Sequence, residues 1–142
     1  MNITLKNTLL WIITPIASIV GSLIMTVIAN MIIMMHGYST TEISCSGDVL
    51  EPIFQVFEFA MRDWVTGAAF VSVGVAVAPH SKRIVSIVLS TSFVSLSIVG
   101  TVFILAFNGI IWTTIIFAMS SCCGAIIAAY ICYKEYPSEY IN

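Results

Sequence analysis

Charged side chains are scarce in this chain: five lysines and arginines and seven aspartates and glutamates among 142 residues, 8% of the total. A soluble domain carries about 25% charged residues because its surface must face water, so so few charges cannot coat a water-facing globule of this size. Five basic residues and an isoelectric point near 5.5 also leave no basic face for phosphate, and no nucleic-acid partner is expected. Histidine is scarcer still. His36 and His80 are the two present, and the spans derived below place them at opposite ends, so they share neither a metal nor a catalytic dyad. There is no H-E-x-x-H, no clustered aspartate motif and no glycine-rich phosphate loop. No catalytic residue, no metal site and no cofactor is expected, and the chain does not read as an enzyme.

What the sequence has in abundance is apolar surface: 59% hydrophobic residues and a mean hydropathy of +1.05. Lipid is the solvent that matches such a surface. The charge-free runs set the spans. Asn7 to Met35 is dense in Ile, Leu, Met and Val, and exceeds the roughly 20 residues a helix needs to cross about 30 Å of hydrocarbon. A second run goes from Trp64 to Pro79. The third, Ile84 to Tyr133, is right for two spans, broken at the turn dipeptide Asn108-Gly109. Spans are therefore expected at about 9–34, 58–78, 84–107 and 111–133. The expected fold is an all-α membrane protein, a four-transmembrane-helix bundle forming one integral domain over residues 1–142, with an outer amphipathic helix leading into the second span.

Four spans put Lys6, Lys82, Arg83 and Lys134 on one side and only Arg62 on the other. By the positive-inside rule that side is the cytoplasm, with both termini cytoplasmic. Glu42, Asp48, Glu51, Glu58 and Asp63 fall outside. Trp11, Tyr130, Tyr133 and Tyr136 fall at the inner interface and Trp64 and Trp112 at the outer one, as amphipathic rings prefer. The apolar run of the first span is too long for a cleaved leader, and reads as an uncleaved anchor. Compactness and short loops point to a bacterial inner membrane.

The sizeable outer part is 37–63. Residues 37–47 read as a polar, hydroxyl-rich loop. From Asp48 the pattern turns helical: Leu50, Phe54, Phe57, Met61 and Trp64 recur on one side and Glu51, Gln55, Glu58 and Arg62 on the other. Glu58 precedes Arg62 by four, the favourable order for a helix ion pair. Glu51, Glu58, Arg62 and Asp63 form a candidate polar mouth or partner-facing surface; the bland alternative sets the last three at the headgroups beside Trp64.

Small and hydroxyl residues recur in rows that permit close helix approach. Gly67 and Gly74 in span 2 and Ser120, Gly124 and Ala128 in span 4 are the expected packing positions. Ser22, Thr26 and Asn30 in span 1 and Ser90, Ser97 and Thr101 in span 3 are candidates for a polar path. No ionisable residue lies at mid-depth in spans 1, 3 or 4, which weighs against a proton-coupled carrier. Cys45 is expected outside, beyond reach of Cys122, Cys123 and Cys132, and so free or paired with another chain. The expected role is a structural, accessory or self-assembling subunit acting by helix packing; a small channel or carrier is the alternative. The expected partners are the lipid bilayer and either a second copy or another membrane protein.

Overall fold

The structure, a computed structural model, describes residues 3–40, 51–108 and 112–136. They form four helices, α1 (Ile3–Thr40), α2 (Glu51–Val77), α3 (Lys82–Asn108) and α4 (Trp112–Glu135), and no strand occurs among them. Each helix contains a stretch long and apolar enough to cross a membrane. α3 ends at Asn108, the expected break. α1 differs from expectation. It continues through Gly37 to Thr40, so the first four residues assigned to the polar loop are helical. No proline interrupts that stretch, and one helical glycine costs only about 1 kcal/mol relative to alanine. Cys45 and Asp48 lie outside the described residues.

α2 is a single helix from Glu51 onward, with Pro52 in its first turn, where a missing N–H costs nothing. Ala78 N–H still donates to the Gly74 carbonyl (3.1 Å), and a short link then reverses the chain into α3. Ser81 is the pivot of that link. Its φ of 53° is left-handed, and its carbonyl accepts the first α3 bond from Val85 N–H (3.1 Å). A non-glycine residue held there is strained by about 1 kcal/mol or more. Ser81→Gly is expected to stabilise the protein by about 0.5–1 kcal/mol once glycine's extra unfolded freedom is offset, read as a higher denaturation midpoint at unchanged helix content.

The helices do not share one central axis of contact. α2 packs most extensively on α4 and next on α1, α3 packs on α4 and on α2, and α1 makes no comparable contact with α3 or α4. Side-chain contacts fix which ends lie together. Asn7 Nδ2 at the start of α1 lies 3.2 Å from His80 Nε2 in the α2–α3 link. The Arg83 side chain donates from Nε to the Tyr136 carbonyl and stacks 4.6 Å from the Tyr133 ring, while Lys82 Nζ sits 4.5 Å from the Tyr136 ring. One end therefore gathers the start of α1, the link and the end of α4. It is the basic end.

The apolar core belongs to that end. Val71, Val75 and Ala78 of α2 meet Val85 and Leu89 of α3 and Ala125, Ala128 and Cys132 of α4, flanked by Phe70 and Phe93 with ring centroids 5.1 Å apart. Thr14, Ser18 and Ser22 are buried on α1, and Ser86 and Ser90 on α3. Most of these hydroxyls bond carbonyls one turn back, as Ser18 Oγ does to Thr14 (3.0 Å) and Ser86 Oγ to Arg83 (2.8 Å). Toward the far end burial stops. Among the described side chains none is fully buried from Leu23 to Met35, Val56 to Thr66, Thr91 to Phe107 or Trp112 to Cys123. The chain exposes 10079 Å², against roughly 7,200 Å² for a compact soluble monomer of its mass.

Candidate functional site

Two glycines bring α2 and α4 close together. A Cβ at Gly67 would fall under 3.0 Å from the Ser121 carbonyl, and one at Gly124 under 3.0 Å from the Trp64 carbonyl. α2 and α4 thus touch backbone to backbone, each lending the other a glycine. One turn above, Ser120 Oγ donates to the Ala60 carbonyl, and Phe59 meets Phe117 edge-on at 6.1 Å. Ala128 is buried on the same seam. Gly74 serves a different contact: a Cβ there would strike Ser18 Oγ of α1 and a Leu89 methyl of α3. Gly21 faces Val73 in the same way, joining α1 to α2.

Above this seam, in the half without a core, α1 and α2 are joined by polar contacts. The Thr26 and Thr66 hydroxyls lie 2.8 Å apart, and each is also within reach of a carbonyl of its own helix, Ser22 for Thr26 and Arg62 for Thr66. One turn farther out Arg62 reaches in two directions. Its Nε donates to Asp63 Oδ1 at 2.9 Å and its Nη1 to Asn30 Oδ1 of α1 at 3.3 Å, with the guanidinium 5.1 Å from the Phe59 ring. The expected Glu58–Arg62 helix pair does not form. Arg62 is turned toward α1 and its neighbour Asp63, and Arg62–Asp63 is the ion pair found among the described residues. Its side chains remain 24% and 21% exposed. Glu58 instead lines an apolar groove of about 240 Å³ between α1 and α2 with Ala29, Ile32, Met61 and Val65. Glu51 opens α2.

The polar path candidates divide. Thr26 and Asn30 of α1 meet α2 at Thr66 and Arg62, while Ser22 Oγ bonds the Ile19 carbonyl of its own helix. Ser90 is buried at the basic end, and Thr101 Oγ1 bonds the Ser97 carbonyl of its own helix (2.7 Å). The α3 hydroxyls thus lie on a helix that α1 does not pack against. Thr66 was not singled out by the sequence, although it sits four residues from Arg62 and shares its face. The aromatic seats of Lys82 and Arg83 were equally invisible, since Tyr133 and Tyr136 lie some fifty residues away in the chain. Among the described residues no three metal-ligating side chains come together, and His36 lies about 40 Å along α1 from Asn7, the residue that meets His80.

These features define a class: the described residues form four helices apt in length and composition to cross a membrane, with no strand among them. Comparison with protein-family models, with curated proteins and with solved structures finds no match.

Proposed function

We propose that the chain is a multi-pass membrane protein, non-enzymatic, that works as an assembling subunit whose open half is closed by a second chain, most simply another copy. The supporting observation is the polar cluster in the half that has no core. Counted from Val77 at 1.5 Å per residue, Arg62 stands about 22 Å along a hydrocarbon layer of about 30 Å. Lipid supplies no hydrogen bonds there, and polar groups at such depth face protein or a protein-lined cavity. Within one chain Asn30, Arg62 and Asp63 satisfy one another only on one side. A second chain laid over Glu58, Arg62 and Asp63 would cover what remains exposed, and the amphipathic start of α2 from Glu51 is the surface that would lead to it.

In this reading the basic end is cytoplasmic, both termini with it, and the membrane is the cell membrane, the inner one in a bacterium. The test is the oligomeric state of the full chain in mild detergent and in lipid discs. A defined oligomer is expected, with Asp63→Leu shifting it toward smaller species; a monodisperse monomer in both media overturns the proposal.

A further inference from the structure

We propose that the basic end of the bundle is a binding site for one anionic phospholipid, with the phosphate on Lys82 and Arg83 and an acyl chain in the groove between α2 and α4. The site rests on the reading of the chain as a membrane protein, and goes beyond it in naming a ligand and a place.

The first observation concerns charge. Lys82 and Arg83 are half-buried, and each is held on a tyrosine face, Tyr136 and Tyr133 respectively. Among the described residues neither has a carboxylate within ion-pair distance; the ion pair found among them, Arg62–Asp63, lies at the far end. Arg83 spends only Nε, on the Tyr136 carbonyl, so both terminal guanidinium nitrogens lack an acceptor among the described residues, as does Lys82 Nζ. Two positioned cations with donors to spare fit a phosphate, which accepts several charge-assisted bonds at once. Glu135 stands near them and is exposed, and His80 is exposed in the same link.

The second observation concerns shape. A groove of about 290 Å³ begins at Tyr136, the ring on which Lys82 sits, and runs between α2 and α4 past Ile131, Ala128, Ile127 and Ala68 to Trp64. It exists because α2 contributes Ala68 and Ser72, side chains too small to fill it. Along α4, from Tyr136 to Gly124, it measures about 18 Å, close to the depth of one leaflet, half of a hydrocarbon layer of about 30 Å. A largely apolar groove one leaflet deep, lined at its Tyr136 end by exposed Glu135 and adjoined there by Lys82 on the Tyr136 ring, matches a single lipid molecule from headgroup to chain end. General attraction between a basic end and an anionic surface needs no groove, and this difference makes the site testable.

The experiment uses the full chain, purified in detergent and checked for helix content. Phosphatidylglycerol, phosphatidylcholine and inorganic phosphate are titrated separately, with retention read by native mass spectrometry and stability by the thermal midpoint. Phosphatidylglycerol is expected to be retained at one per chain and to raise the midpoint, whereas phosphatidylcholine and phosphate do neither. Lys82→Gln with Arg83→Gln is expected to weaken retention roughly tenfold or more. Ser72→Phe, which fills the groove and leaves every charge in place, is expected to weaken it as well; Lys82→Arg, folded and fully charged, is expected to retain it. Equal retention of both lipids, undiminished retention in the glutamine pair or in Ser72→Phe, or the same shift from phosphate alone overturns the proposal. Failure of the underlying reading looks different: the protein would be stripped from native membranes by alkaline carbonate.

Discussion

Gly124→Ala is expected to destabilise the protein by about 2–3 kcal/mol, and Gly124→Leu to leave no stable α2–α4 pair, while Gly100→Ala stabilises by up to about 1 kcal/mol. Gly124 and Gly100 are both helical glycines, and intrinsic propensity alone predicts a gain from alanine at both positions. The surroundings reverse the sign at Gly124. Its missing Cβ is occupied by the Trp64 carbonyl, a backbone atom that cannot swing aside, whereas around Gly100 nothing lies within 4 Å. Accommodating one methyl at Gly124 means moving α2 away from α4, which also loosens the Ser120–Ala60 bond and the Phe59–Phe117 contact. Gly67→Ala should behave like Gly124→Ala, because the Ser121 carbonyl stands over it in the same way. The two together should cost less than the sum, since one separation of the helices relieves both clashes. Unfolding by graded sodium dodecyl sulfate in mixed micelles reads these differences. A Gly124→Ala protein as stable as the Gly100→Ala protein would refute the backbone seam.

The second large effect is expected at Arg62. Arg62→Met removes the donor to Asp63 and to Asn30 together, stranding a carboxylate and an amide oxygen in a largely buried site. Breaking a buried ion pair from one side costs about 3–5 kcal/mol; with the side chains about a quarter exposed, about 2–3 kcal/mol is the expected loss. Replacing both partners, Arg62→Met with Asp63→Leu, should recover most of it, because no charge is left without a partner. Arg62→Lys keeps the charge but loses the fork that reaches two acceptors at once, and should fall between. The cycle is measured by the same detergent titration. Strictly additive losses would show that Arg62 and Asp63 do not act as a pair.

Helix number and position could be read from the sequence because charge-free runs have to be long and their breaks abrupt. The Asn108 boundary and the link beginning at Pro79 came out where the residues put them. The end of α1 did not, since Gly37 weakens a helix without stopping it. Helix pairing was far less legible. All four helices carry rows of small residues, and a row says that something can come close, not what does. Only the assembled geometry separates Gly67 and Gly124, whose backbones meet a neighbour, from Gly100, which meets nothing. Arg62 shows the same limit. Local spacing offers Glu58 one turn away, but the side chain takes the adjacent Asp63 and, thirty-two positions back, Asn30, because packing α2 on α1 brings that amide within range.

The tight link at Ser81 bears on how such a chain is made. α2 is the least apolar of the four helices, with a mean hydropathy of 1.2 against 2.1 for α3, and it carries Glu58, Arg62 and Asp63. If the chain enters a membrane as proposed, α2 on its own is a poor candidate for lateral release from a translocon, because its apolar run is weak and its charges lie toward one end of it. In the proposed membrane reading, α2 joined to α3 by so few residues would leave the channel as one arm of a helical hairpin, the greasier arm carrying the other into the lipid.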